Sequence, residues 1–131
     1  TAMGIATRFE KTIALIGDLA FLHDISALAN TRTENLTFIV VDNDGGGIFS
    51  TLPQRGVPHF EEVFGTPHGK SIKKLATAFG IKAVEVASVA ELLDAAKEKG
   101  LKVIVAKMPS RDENADNLKS IFDRFETLTQ I

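Results

Sequence analysis

Two short stretches hold the groups best placed to do chemistry. Residues 15–18 read Leu-Ile-Gly-Asp, and residues 40–49 read Val-Val-Asp-Asn-Asp-Gly-Gly-Gly-Ile-Phe. Asp18 offers a carboxylate, Asn43 an amide oxygen, and the glycine run a bare backbone carbonyl. These are hard oxygen donors, the set that Mg²⁺ accepts while keeping water or phosphate oxygens at its other positions. Without side chains, the backbone at 45–47 can approach a ligand closely and offer N–H groups to a phosphate. A helix starting near Leu19 would bring its positive end to the same place. Taken singly, each stretch has a plainer reading: an Asp after a buried strand often caps a helix, and Asn-Asp-Gly is ordinary turn chemistry. Their occurrence together, each ending an apolar run and the second followed by Ile48 and Phe49, favours a ligand.

The elements that must position them are legible as an alternation. The runs 12–17, 36–42 and 101–108 are short, apolar and β-branched, with a weaker one at 82–87. Near-continuous runs of this kind suit strands buried on both faces of a parallel sheet. Between them lie helical patterns. Residues 20–32 place Phe21, Ile25 and Leu28 at helical spacing. Residues 71–80 have Ser71 as cap, Ile72, Leu75, Ala76 and Phe79 on one face, and Gly80 as terminator. Residues 88–100 carry a Ser88–Glu91 capping box and end at Gly100. The tail 112–128 puts Leu118, Ile121, Phe122, Phe125 and Leu128 on one stripe. The fold class expected is α/β, a doubly wound parallel sheet with helices on both faces, built from right-handed βαβ units. In such sheets ligands sit beyond the carboxyl ends of the strands, where Asp18 and Asn43 fall. The long irregular region 44–70 is of the kind that usually serves function.

Composition narrows the classes. The chain has 131 residues, enough for one domain with a core, with 44% hydrophobic and 24% charged residues. A net charge of −2 gives no reason to expect nucleic acid or an anionic membrane surface as partner. Lys70, Lys73 and Lys74 read as a solvated helix face. The absence of cysteine excludes disulfides, thiolate metal sites and cysteine nucleophiles, and agrees with a cytoplasmic location. No apolar run reaches the roughly 20 residues of a membrane helix. The opening, Thr-Ala-Met-Gly-Ile-Ala, lacks an initiator methionine at position 1 and begins inside a helical pattern, which suggests a piece of a longer chain. The stretch 65–71, Gly-Thr-Pro-His-Gly-Lys-Ser, imitates a phosphate-binding P-loop but has three residues between its glycines where four are required, and no strand precedes it.

Gly17-Asp18, then 24 residues, then Asn43 in a glycine-rich turn resembles the magnesium and diphosphate motif of thiamine-diphosphate-dependent enzymes. That pattern usually has Gly-Asp-Gly; Leu19 stands here in place of the last glycine, leaving the metal ligand intact. The segments at 17–28, 42–54 and 64–69 together resemble the branch that decarboxylates 2-oxoglutarate and adds the resulting succinyl-semialdehyde carbanion to isochorismate in menaquinone biosynthesis. The likeness runs over residues 1–70. It implies that residues 1–131 are the C-terminal diphosphate-binding domain, a fragment of a longer transferase. Asp18, Asn43 and the Gly45 carbonyl would hold Mg²⁺, or Mn²⁺ in its place. Leu19 and Ala20 would supply N–H groups to the diphosphate, and Gly17, Gly46 and Gly47 would line the cofactor. Ile48, Phe49 and Leu52 would wall the thiazolium and the substrate pocket. An apolar wall suits a decarboxylation, because a low-dielectric site favours loss of the carboxylate's charge.

The resemblance also says what this sequence lacks. Family members bind cofactor between two domains of different subunits, and a glutamate on the pyrimidine-binding domain promotes ylid formation. That domain is not in this sequence, so no catalytic residue is assigned and no turnover is expected of the chain alone; the whole enzyme would be a homo-oligomer. His23, beside Asp24, reads as locally structural or exposed; His59 and His68 fall in the irregular region without an assigned role. The main rival is a phospho-acceptor receiver-type signalling domain, which shares the length, the topology, acids at strand ends and a Lys-Pro after the last strand, approximated by Lys107-Met108-Pro109. Receivers, however, want a pair of acids ending the first strand, and have little use for three glycines followed by Ile-Phe. A dinucleotide-binding domain fails because Gly17 opens no glycine-rich turn.

Overall fold

The computed structural model describes residues 1–30 and 33–129. The chain divides into two compact units, one formed by Thr1–Asp42 and Lys70–Lys107, the other by 43–69 and 108–129 among the described residues. The changeovers at 42–43 and 107–108 both follow the last residue of a strand.

In the first unit, strands β1 (Thr12–Gly17), β2 (Leu36–Asp42), β3 (Lys82–Val86) and β4 (Lys102–Lys107) form one parallel sheet in the order β1-β2-β4-β3. All four lie where the β-branched runs place them. Helices α1 (Ala2–Ala6), α2 (Asp18–His23), α3 (Ile72–Ala78) and α4 (Val89–Lys97) connect and flank the strands, giving the α/β architecture with helices on both faces. Alternate residues of the two central strands, Leu36, Phe38 and Val40 with Val103 and Val105, meet Ala6, Phe21, Leu28, Ile72 and Ala76 in one buried cluster. Phe21 and Phe38 pack edge to face at 5.8 Å. At about 25 cal/mol per Å² of apolar surface, burying each large side chain here is worth roughly 1.5–3 kcal/mol. β1 departs from the expectation of burial on both faces. It is an edge strand, and its Ile13 and Leu15 are 49% and 73% exposed.

The helix expected over 20–32 starts earlier and breaks sooner. α2 begins at Asp18, leaves helical geometry at Asp24, and continues as a 3₁₀ segment, Ile25–Asn30; residues 31 and 32 lie outside the described residues. Asp24, Ser26 and Asn30 are residues whose short polar side chains compete with helical backbone bonding, and Ile25 is β-branched. The caps of α3 and α4 are as read. Ser71 Oγ accepts from Lys74 N–H and Ser88 Oγ from Glu91 N–H, both at 3.2 Å, while Glu91 returns a bond to Ala87 N–H at 2.8 Å. α4 stops at Lys97, ahead of Gly100. There the carbonyl of Glu98, already extended, accepts from the Nζ of buried Lys102. Burial pulls the Lys102 pKa below the ordinary lysine value.

In the second unit, a 3₁₀ turn (Gly47–Thr51) and a π turn (Glu61–Gly65) organise what the sequence shows only as an irregular region, and helix α5 (Arg111–Thr129) is the helix read on the tail. The glycine run joins the π turn directly, Gly46 N–H donating to Gly65 O at 2.7 Å. Phe49, Phe64 and Phe60 stack in series at 5.5 and 5.7 Å. α5 packs its first half on the 3₁₀ turn, with Ala115 buried, and Arg55 grips it through Asp112 (3.1 Å) and Asp116 (2.6 Å). The stripe read on the tail is helical but open: exposure runs from 37% at Leu118 to 66% at Leu128. Among the described residues, no helix is long and apolar enough to cross a membrane.

Candidate metal and phosphate site

The site builds from the register of β1 and β2. Their pairing runs from Thr12 opposite Leu36 to Gly17 opposite Val41, so Asp18 and Asp42 leave neighbouring strands at the same level. Both carboxylates are buried, 3% and 2% exposed, with oxygens within 4.8 Å of one another. Two buried acids this close need compensation. Asp42 has it from Lys107, opposite it at the end of β4, whose Nζ donates to Asp42 Oδ2 at 2.7 Å. Asp18 opens α2, and its Oδ1 accepts from Leu19 N–H at 2.6 Å. The amide assigned to the diphosphate is thus engaged by the carboxylate assigned to the metal. Gly17, Leu19 and Ala20 are exposed at this strand end.

The other half of the predicted set lies within the second unit. Asn43 follows Asp42 by one peptide bond, and its amide lies over the Gly47 backbone. A Cβ at Gly47 would overlap that amide. Cβ atoms at Gly45 and Gly46 would overlap the carbonyl oxygens of Gly65 and Phe64, and Gly45 sits at φ +130°, which side chains rarely adopt. Glycine at 45 and 46 is therefore required by close approach to backbone, with or without a ligand, whereas the neighbour of Gly47 is a side chain that can move. Gly45's carbonyl accepts from Gly47 N–H at 3.0 Å, which fixes its direction. Asp44, at φ 59°, accepts from the backbone N–H groups of His68 (3.1 Å) and Gly69 (2.8 Å), with the His68 ring 3.5 Å away. Asp44 thus closes the loop 44–69.

Beyond the glycines, Ile48 is 70% exposed, Leu52 is 40% exposed and Phe49 is half-buried against Phe64. Of the histidines, His23 pairs with Asp24 at 2.8 Å and His59 with Glu62 at 2.9 Å, both on the surface. The sequence reading missed Arg111 and Glu61, which pair with each other beside the glycine turn. It noted Lys107 only as a feature of the rival signalling fold. The signal for Lys107 was available: it ends β4 as Asp42 ends β2. No local pattern marks Arg111.

Residues 1–106 match the family described as "Thiamine pyrophosphate enzyme, C-terminal TPP binding domain". The chain belongs to this family. That membership decides against the signalling-domain rival, although the Asp42–Lys107 pair is the kind of contact that reading would also want. Among relatives of this thiamine pyrophosphate binding domain are three curated proteins named 2-succinyl-5-enolpyruvyl-6-hydroxy-3-cyclohexene-1-carboxylate synthase. The protein of Lactococcus lactis subsp. cremoris is 48% identical over 83 residues, 62% of this chain and 15% of its own. That of Corynebacterium diphtheriae is 45% identical over 94 residues, 69% of this chain and 18% of its own. That of Lysinibacillus sphaericus is 40% identical over 131 residues, 95% of this chain and 23% of its own. The domain thus spans about a fifth of the length of these relatives.

Proposed function

We propose that this chain is the diphosphate- and Mg²⁺-binding part of a thiamine-diphosphate-dependent transferase. The proposed reaction decarboxylates 2-oxoglutarate and adds the remaining four-carbon unit to isochorismate, in menaquinone biosynthesis. The observation that carries the reading is the β1–β2 register, which puts Asp18 level with Asp42, the residue before Asn43 in sequence, in a chain of the thiamine pyrophosphate family. The names of the relatives give the product of such a synthase, and the resemblance of the motifs supplies the two substrates.

The residues fit the group. Asp18, Asn43 and the Gly45 carbonyl offer oxygen to a hard cation, and Mn²⁺ would be accepted on the same grounds. The glycine turn has no side chain to block a diphosphate. Gly17, Leu19, Ala20, Gly46 and Gly47 then border the diphosphate, and Ile48, Phe49 and Leu52 present apolar surface toward the reacting end and the substrate. The bound cofactor supplies the carbon nucleophile and the electron sink for decarboxylation. The protein residues do the rest of the work proposed here. Asp18 would give its carboxylate to the metal, which would release Leu19 N–H, now donating to it, for the diphosphate. Lys107 is paired with Asp42, and Asp18 is the carboxylate proposed to face the cation. Ile48 and Phe49 exclude water where charge is lost.

The glutamate that promotes ylid formation would come from a pyrimidine-binding domain of a neighbouring subunit in a cytoplasmic homo-oligomer, and the basic residues for the substrate carboxylates would come from outside this sequence. The test is product formation from 2-oxoglutarate and isochorismate by the intact enzyme carrying this domain, with thiamine diphosphate and Mg²⁺. Turnover is expected there and absent from the 131-residue chain alone. An intact enzyme that binds the cofactor but consumes a different 2-oxo acid in preference would overturn the substrate assignment.

A further inference from the structure

Arg111 is placed at some cost. It occupies the first turn of α5, where the helix dipole disfavours a cation. Its side chain is 13% exposed, and Nη1 is buried without a hydrogen-bond partner among the described residues, a loss that folded proteins seldom tolerate without reason. What the side chain does touch is specific. Nη2 donates to Glu61 Oε2. Nη1 lies 2.5 Å from where a Cβ of Gly65 would stand and 3.0 Å from that of Gly45. The Cγ carbon is 3.6 Å from the equivalent point on Gly47. The guanidinium therefore spans two glycine turns that are joined by the Gly46 N–H to Gly65 O bond. Only glycine at 45 and 65 leaves room for it.

We propose that Arg111 is a positioning residue: anchored by Glu61, it clamps the turn at 45–47 against the turn at 61–65 and so presets the Asn43 amide and the Gly45 carbonyl. The inference rests on the reading that these two groups face the metal. It predicts that the clamp governs how readily Mg²⁺ and the diphosphate are captured and leaves the rate at saturation alone. A planar fork reaching two backbones and a carboxylate is a task for arginine, so Arg111→Lys keeps the charge but only part of the geometry.

The experiment is calorimetric titration of thiamine diphosphate into the intact enzyme at limiting and saturating Mg²⁺. Wild type is compared with Arg111→Ala, Arg111→Lys, Glu61→Gln and Asn43→Ala, with kcat and the thermal unfolding midpoint measured for each. Arg111→Ala should weaken binding about tenfold or more at limiting Mg²⁺, the usual effect of removing a group that orients a metal ligand. Excess Mg²⁺ should restore most of the affinity. The saturated kcat and unfolding midpoint should be retained, with Arg111→Lys intermediate and Glu61→Gln in the same direction. Wild-type affinity in Arg111→Ala, beside lost affinity in Asn43→Ala, would overturn the clamp and leave the proposed site standing. Loss that tracks a lowered unfolding midpoint, with no recovery in Arg111→Lys, would also overturn it. Wild-type affinity in Asn43→Ala would remove the ligand reading on which the clamp rests.

Discussion

At the scale of single residues, substitutions at Gly47 and Phe49 would separate the proposed holding of the cofactor from the proposed shaping of the chemistry. A methyl at Gly47 meets the Asn43 amide, the far end of a short side chain that can swing aside, while the backbone there is unstrained. Gly47→Ala should therefore fold normally yet need about tenfold more Mg²⁺ for cofactor binding, the scale expected when a ligand is turned from its direction. Titration of bound cofactor against Mg²⁺ checks this; unchanged Mg²⁺ dependence would mean that Asn43 is not a ligand. Phe49 has two duties. It packs against Phe64, and it is proposed to wall the reacting end. Phe49→Ala should cost about 2 kcal/mol in denaturant unfolding, less than the ~3–5 of a fully buried phenylalanine because this one is half-buried. Cofactor affinity should hardly move, while kcat falls and saturating cofactor fails to restore it. Full recovery on adding cofactor would reassign the residue to binding.

Among the elements, the strands were legible because a parallel strand advertises itself through local β-branched runs, and β1 and β2 fall where those runs do. The helix caps at Ser71 and Ser88 were legible for the same reason: each is a contact within four residues. The turns at Gly47–Thr51 and Glu61–Gly65 were not, since they depend on a bond between Gly46 and Gly65, nineteen residues apart. Arg111 was invisible on the same grounds, its partner Glu61 lying fifty residues away. The attachment of α5 belongs to this class too, and it yields a pH test. The hydrogen bond from Arg55 holds Asp116 below its ordinary range, and Arg55 is raised in turn. A depressed carboxylate stabilises fully above its unfolded value, about 3.9, and the contribution is lost as pH falls through the lower folded value. Asp116→Asn should thus be less stable than wild type above pH about 4, with the two unfolding curves converging in more acid solution. A gap that persists unchanged at low pH would show that the pair does not secure the helix.

For the whole molecule, the family is one that binds thiamine pyrophosphate, and in an open parallel sheet ligands sit beyond the carboxyl ends of the strands. Asp42 is paired with Lys107, and Asp44 is bound by backbone amides of its own loop. Asp18 is proposed as the acidic ligand of the cation. The most direct measurement is thiamine diphosphate binding by the intact enzyme over a range of Mg²⁺ concentrations, wild type against Asp18→Ala. The account predicts that Asp18→Ala loses metal and cofactor affinity together and regains part of both in excess Mg²⁺. Wild-type metal dependence in Asp18→Ala would contradict it.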